Sequence, residues 1–344
     1  MTTELATDRV TLALVAEEAG VSLSTISKVL NGRSDVSAST RRKVEEVLAQ
    51  RGYERRGAGA TAKREFIELV FHELDSIWSM ELIEGVEAVA AEHGLSVVLT
   101  VSGSRHSPAP DWIDGVMRRR PVGVVLVFSD LVPSFRERLR SRAIPFVIVD
   151  PAGDPAPDVP SVGSANWTGG LLATRHLIEL GHRKIAAITG PEDMMCSLAR
   201  LDGYRSAMSS AGLRINPDWV HFGDFHVVGG HDRALDLLAL PEPPTAIFAG
   251  SDLQALGAMD AIRGQGLRVP EDVSVIGYDD IPLARWLTPR LTTVHQPLRR
   301  MGEEATRLVI GWADNPPEST PRMDLATSLV VRDSTAPPAL HTAA

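Results

Sequence analysis

Between Thr11 and Tyr53, apolar residues recur at helical spacing in three short groups, which predicts three helices. Leu12, Val15, Ala16 and Ala19 share one face of the first. Thr11 can cap its start, and Gly20 stops it. Ser22 can cap a second helix over residues 23–30, with Ile26, Val29 and Leu30 inward and Asn31-Gly32 at its end. Ser37 can cap a third, with Val44, Val47 and Leu48 facing the others and an end near Gly52. Helix, tight Gly-containing turn, helix is a helix-turn-helix pattern. From Glu65 onward the period changes. Strand-sized runs (FIELVFH, LSVVLTV, VGVVLVF, PFVIVD, KIAAITG, TAIFAG, VSVIGYD) alternate with amphipathic stretches such as MELIEGVEAVAAEHG. That alternation predicts parallel sheets with helices on both faces. A single sheet of so many strands would be large, so two similar lobes are expected.

The chain has 344 residues, too many for one compact core. The pattern divides it into a helical head (1–53), a basic Gly-containing linker (54–65), a two-lobed body (66–331) and a tail (332–344). The tail, RDSTAPPALHTAA, is polar and Pro-containing, and is expected to be flexible. It lacks the heptads of a coiled coil.

Net charge changes the picture. The whole chain carries −9, yet residues 21–64 hold ten basic and four acidic side chains, a net +6. A basic head on an acidic body is the asymmetry of a small nucleic-acid-binding module joined to a separate domain. Polar residues on the outer face of the second helix (Leu23, Ser24, Thr25, Ser27 and Lys28 form its exposed set) would meet the major groove. There is one cysteine, Cys196, and the N-terminus MTTELATDRV has no apolar core. A single thiol fits a reducing compartment, and no secretory signal is read. No apolar run is long enough to span a membrane. A cytoplasmic protein is expected.

The head then becomes specific. VTLALVAEEAGVSLSTISKVLNGRSDVSASTRRKVEEVLAQRGY resembles, nearly position by position, the DNA-binding head of the lactose-repressor (LacI/GalR) family. The shared string is V-A-x-x-A-G-V-S-x-x-T-[VI]-S-[RK]-V-[LV]-N, then V-S-x-x-T-R-x-K-V and a closing G-Y. The resemblance continues to about Val331. It implies an α/β body like the periplasmic sugar-binding proteins, with two Rossmann-like lobes crossed by three hinge strands. It implies a homodimer on pseudo-palindromic double-stranded operator DNA, with a small sugar as effector and no cofactor. It places Leu23, Ser24 and Lys28 at base-reading positions, with Thr25, Ser27 and Asn31 near the backbone and Thr11 at the start of the first helix. After Gly-Tyr the family usually carries Pro-Asn and a hinge helix ending in a leucine. Here Arg55-Arg56 stand instead, followed by Gly57, Gly59, Ala60 and Ala62. Two glycines weaken a helix by about 1 kcal/mol each, so a weak or absent hinge helix and less kinking of the DNA are expected, with Arg55, Arg56, Lys63 and Arg64 holding phosphates instead.

The resemblance also implies where the effector binds. Arg200, in ARLDGY, would hold ligand oxygens with its planar fork. Asp279, in VIGYDD, would accept from hydroxyls. Asp252, in SDLQALG, follows another strand and is either a ligand contact or a helix cap. Ser251 replaces the usual Asn. Trp78, Trp167 and Phe225 are the aromatic candidates, because a ring matches the apolar face of a sugar. Asp75, His72, Glu73, His226 and Gln296 are further liners. The motifs around Trp167, Arg200, Phe225 and Asp252 are similar to a subgroup associated with plant-polysaccharide use in actinobacteria, pointing to a neutral mono- or disaccharide. A nucleoside or purine effector is an alternative that Arg200 and stacked rings would also serve, and whether the effector induces or corepresses is left open.

Other classes fit less well. A transport receptor would share the lobes but not the head. An enzyme is not expected: no strand-linked Gly-x-Gly-x-x-Gly, P-loop or Gly-x-Ser-x-Gly elbow is present. Asp252 and Asp279 could pair as acid and base, but turnover is not the expectation. His221 and His226 lack a third ligand, so no metal is expected.

Overall fold

A computed structural model describes residues 12–30, 36–50, 65–74, 77–103, 110–127, 131–151, 153–314 and 319–339. Thr11, Asn31, Arg55, Arg56, Asp75 and the hinge expectation for residues 54–64 lie outside them. Contacts divide the chain into two units, Met1–Arg64 and Glu65–Ala344.

The first unit has three helices, α1 (Leu12–Ala19), α2 (Leu23–Leu30) and α3 (Ala38–Gln50). Their inward faces close on a small core of Val15, Ala16, Ala19, Ile26, Val29 and Val44. Gly20 takes a φ of +61° after α1, where Val21 N–H donates to Ala16 C=O. Ser22 Oγ accepts from Thr25 N–H at 3.2 Å and Ser37 Oγ from Thr40 N–H at 3.2 Å, so both serines cap their helices as the pattern predicts.

The second unit holds two six-stranded sheets. The chain first lays down β1 (Phe66–Phe71), α4 (Ile77–Glu92), β2 (Ser96–Val101), α5 (Pro110–Arg119), β3 (Val124–Val127), α6 (Pro133–Ser141), β4 (Phe146–Val149) and β5 (Ser161–Ser164). It then crosses to the second lobe for α7 (Asn166–Glu179), β6 (Ile185–Thr189), α8 (Met195–Ser210), β7 (Val220–Phe222), α9 (Val227–Leu238), β8 (Ala246–Ala249), α10 (Asp252–Gly264), β9 (Ser274–Asp279) and β10 (Thr292–His295). Helix α11 (Leu298–Asp314) and β11 (Arg322–Leu325) return to the first lobe, and β12 (Ser328–Val330) goes back to the second. The sheet orders are β11-β5-β4-β3-β1-β2 and β12-β10-β9-β8-β6-β7. All pairings are parallel except β10 with β12. The lobes are therefore joined by three crossings, after β5, β10 and β11.

Burial follows from the apolar runs. Central strands such as β3 and β8 are buried along their whole length, while the edge strand β2 is partly exposed. Leu298, Met301, Ala305 and Val309 of α11 bury against Ile67, Leu69, Leu82 and Val86, which binds a late segment of the chain to the first lobe. In the second lobe, α7 and α8 cross closely. A Cβ at Gly170 would stand 2.1 Å from Arg200 O, and one at Gly203 would stand 2.1 Å from Trp167 O. Only glycine fits there, and the close approach brings the start of α7 beside Arg200.

The tail differs from expectation. Residues 332–339 are ordered against the second lobe. Val275 N–H donates to Ser334 C=O at 2.9 Å, Thr292 N–H to Ser334 Oγ at 2.8 Å, and Ser334 Oγ to Val275 C=O at 2.6 Å. Ala336 C=O accepts from Ser274 Oγ at 3.1 Å and lies 2.8 Å from His182 Nε2. The hydroxyls that read as disorder satisfy backbone groups beside β9 and β10. Ser334→Ala removes both hydroxyl bonds of a fully buried side chain. The expected loss is about 1–3 kcal/mol, read as a fall of roughly 2–6 °C in melting temperature; an unchanged melting temperature would show this anchor to be dispensable.

Candidate functional site

The carboxyl ends of the strands of both lobes open onto one cleft of about 750 Å³, counting its open mouth. That is where ligands bind in open α/β sheets. The first lobe supplies Phe71, His72 and Glu73 at the end of β1, and Trp78 and Ser79 at the start of α4. The second supplies Met194, Cys196 and Arg200 around α8, Asp224, Phe225 and His226 before α9, Ser251 and Leu253 after β8, and Asp279 at the end of β9 with Ile281 just beyond it.

Arg200 is the centre of this arrangement and is 3% exposed. Its Nε donates to Asn166 Oδ1 at 2.8 Å, Nη1 to Gly250 C=O at 2.6 Å, and Nη2 to Gln296 Oε1 at 2.9 Å. Its guanidinium carbon lies 3.7 Å from the Tyr278 ring centroid and 5.4 Å from that of Phe225, within cation–π range. Asp279 Oδ1 stands 3.8 Å from Nη1, an ion pair too long to be a hydrogen bond. Three of the five guanidinium N–H groups are thus spent on the protein, and the fork is held rigidly. Phe225 reaches the cleft over a bare glycine: a Cβ at Gly190 would lie 2.0 Å from its ring.

Backbone strain collects at the same place. Phe225 (φ +69°), Asp279 (φ +112°), Asp280 (φ +59°) and Asp150 (φ +49°) are non-glycine residues at positive φ, a conformation that persists where surroundings enforce it. Burial pushes the Asp279 carboxyl up to about 7, against the opposing charge of Arg200 and with help from Asp150. Burial raises Asp150 as well, and raises Asp252 well above its ordinary value, with Asp279 adding to the latter. Burial holds the Cys196 thiol near 12, so it is an inert lining group.

Trp78, Arg200, Phe225 and Asp279 meet in the cleft, as do His72, Glu73 and His226. Gln296 sits behind Arg200 as its partner. Asp252 does not line the cleft. Its carboxylate accepts from Ile281 N–H at 2.9 Å and Thr293 Oγ1 at 2.5 Å, tying α10 to the segment after β9. The helix cap is Ser251, whose Oγ accepts from Gln254 N–H at 3.1 Å. Trp167 also lies apart from the cleft, half-exposed beside a second hollow. Sequence reading missed Asp150, Cys196, Asn166 and Tyr278. Asp150 ends β4 and Cys196 lies one helical turn before Arg200, so strand-end and i,i+4 rules could have found both.

In the head, Leu23 is 55% exposed, and Ser24, Ser27 and Lys28 share its exposed side of α2 while Thr25 is half-buried. Ser22 Oγ lies 2.7 Å from Ser24 Oγ and 2.9 Å from Thr25 Oγ1, so the capping network orders the hydroxyls at the amino end of the helix. Among the described residues no helix is long and apolar enough to cross a membrane, and no group of three metal-ligating side chains occurs.

Residues 11–56 match the family model for bacterial regulatory proteins of the lacI family, and residues 174–335 match that for the periplasmic binding protein-like domain. The chain is 35% identical over 337 residues to the HTH-type transcriptional regulator CelR of Thermobifida fusca, covering 95% of this chain and 98% of that one. It is 33% identical over 328 residues to the HTH-type transcriptional repressor CytR of Escherichia coli K12, covering 94% and 96%. Among solved structures, a transcriptional regulator CelR–cellobiose complex superposes with a TM-score of 0.71 at 34% identity, covering 95% of this chain and 100% of that one. The lac repressor dimer bound to operator and the anti-inducer ONPF gives 0.71 at 28% identity, covering 96% and 100%. With a helix-turn-helix head, a two-lobed body and relatives of this identity along nearly its whole length, the chain belongs to the lacI family of bacterial regulatory proteins, DNA-binding transcriptional regulators rather than enzymes.

Proposed function

We propose that this regulator is a repressor whose operator affinity is set by a neutral mono- or disaccharide bound between the lobes. The observation that carries the reading is the buried Arg200, aimed with Asp279 into a cleft walled by Trp78 and Phe225. Paired donors, a carboxylate acceptor and ring faces are what a polyhydroxylated ring requires. The relative solved with cellobiose, at 34% identity, supports a glucose-based disaccharide within that class.

The head reads DNA through Leu23, Ser24, Thr25, Ser27 and Lys28 on the exposed side of α2, with Thr11, Asn31, Arg55 and Arg56 completing the contact. Two heads in a homodimer bind two half-sites, since two tethered modules gain by effective concentration. Sugar favours one arrangement of the lobes across the three crossings and releases the operator. The coupling is reciprocal, so operator weakens sugar binding by the same factor.

Fluorescence anisotropy on DNA from upstream of the protein's own gene, at fixed salt, tests this with a panel of plant-derived mono- and disaccharides. The expected outcome is specific binding that one sugar weakens by about tenfold or more. Specific binding that no sugar alters would refute the sugar-sensing reading while leaving the DNA-binding one in place.

A further inference from the structure

The acidic body carries a basic end. The chain is −9 overall and residues 21–64 hold +6, so the rest carries −15. Arginines nevertheless gather where α5 and α6 finish. The two helices lie side by side, with Trp112 and Phe135 edge to face at 5.8 Å and Arg138 paired to Asp114. Both run toward the end of the sheet where its strands begin. There Val122 N–H donates to Phe66 C=O and Val124 N–H to Pro145 C=O, each at 2.9 Å. Arg118 and Arg120 therefore arrive beside the start of β1, and Arg142 arrives just before β4. Carboxylates satisfy only part of this charge. Arg119 pairs with the buried Glu68, and Asp158 is shared by Arg136 and Arg140 at 2.7 Å each. Arg118, Arg120 and Arg142 are exposed and form no ion pair among the described residues. The acidic groups at this end lie elsewhere. Glu65 precedes β1, while α4 and α11, which close with Glu92 and Asp314, pack on the opposite face of the sheet.

We propose that this arginine face of the first lobe is a second, sequence-independent DNA-binding surface, with Arg118, Arg120 and Arg142 on phosphates of the duplex that the head reads. A planar guanidinium donates paired hydrogen bonds to phosphate oxygens, and such contacts position a protein without reading bases. Chain connectivity supplies the second argument. Residues 54–65 join head to body, and a linker of that length reaches at most about 40 Å. An acidic body held so near a polyanion is repelled unless the part facing it is basic. Strand β1, at Phe66, follows the linker directly in sequence, and its start is the end that carries the unpaired arginines. The proposal rests on the DNA binding of the family and is independent of the sugar reading.

The test is anisotropy of the full-length protein on a mixed-sequence duplex of about 40 base pairs over a series of salt concentrations, which needs no knowledge of the operator. Each phosphate contact contributes about 0.9 to the slope of log affinity against log salt. The triple variant Arg118→Gln, Arg120→Gln, Arg142→Gln should lose about two to three units of slope per chain and at least about tenfold in affinity near 0.1 M salt. Arg175→Gln, Arg214→Gln, Arg263→Gln removes the same charge from exposed positions on the second lobe and should leave the slope unchanged. All six side chains are exposed, and melting temperatures check that both variants fold. An unchanged slope in the first variant, equal losses in the two, or a parent chain without affinity for the duplex at low salt would each overturn the proposal. None of these results bears on sugar binding in the cleft.

Discussion

Replacing Arg200 by lysine is expected to leave operator binding intact and to abolish the sugar response. Lysine keeps the charge beside Asp279 but brings one ammonium in place of a planar fork. It cannot reach Asn166 Oδ1, Gly250 C=O and Gln296 Oε1 together, as the guanidinium does at 2.8, 2.6 and 2.9 Å. Two or more of these hydrogen bonds are lost, while the positive charge facing Asp150 and Asp279 is kept. The fork also loses its fixed presentation to ligand. Sugar affinity should fall at least about a hundredfold, while the head, a separate unit with its own core, still holds DNA. Arg200→Ala is the poorer test. It leaves the buried carboxyls of Asp150 and Asp279 facing no cation, and breaking a buried pair costs about 3–5 kcal/mol, enough to confuse lost sensing with lost folding. The measurement is operator anisotropy with and without the sugar that releases the parent protein. A Lys variant released at the parent's sugar concentration would remove Arg200 from the sensing role.

The residues that sequence reading placed well are those whose chemistry is local. Helical spacing of Val15, Ala19, Ile26 and Val44 and the capping serines Ser22 and Ser37 are set within a few residues of chain, and the structure keeps them. The strand runs of the body are similarly plain, because parallel strands buried on both faces are continuously apolar. Arg200, Phe225, Trp78 and Asp279 come from four segments far apart in the chain. The family resemblance brought them together, since spacing along the chain says nothing of such a meeting. Where the fold departs from expectation, the cause is tertiary. Asp252 looks like a ligand or a cap by position, but its carboxylate is turned inward to Ile281 N–H and Thr293 Oγ1. Trp167 follows a lobe crossing, as a cleft residue might by position, yet it lines the second hollow and not the cleft. The tail looks disordered by composition, but Ser334 supplies hydrogen bonds that no local pattern encodes.

A rise in pH from about 4 to about 7 is expected to lower the stability of the body and to strengthen sugar binding, both through Asp279. In the folded protein burial holds this carboxyl at about 7, against an ordinary value of 3.8. Between those two values the folded chain keeps a proton that the unfolded chain has released. Stability is therefore full below the lower value and is lost as pH rises through the upper one. Asp150 and Asp252 are raised by burial too, so they act in the same direction. Arg200 opposes the shift from α8, and the neighbouring Asp280 is turned away to Arg332 and His295. Sugar reverses the sign. Hydroxyls donated to Asp279 favour its ionised form, so binding expels the proton. The dissociation constant should then fall by up to about tenfold per pH unit below pH 7 and flatten above it. Calorimetry in buffers of different ionisation enthalpy reads the released proton directly. Asp279→Asn should bind more weakly and lose the slope. A dissociation constant that rises with pH, or a slope that survives in Asp279→Asn, would show that Asp279 does not accept from the sugar.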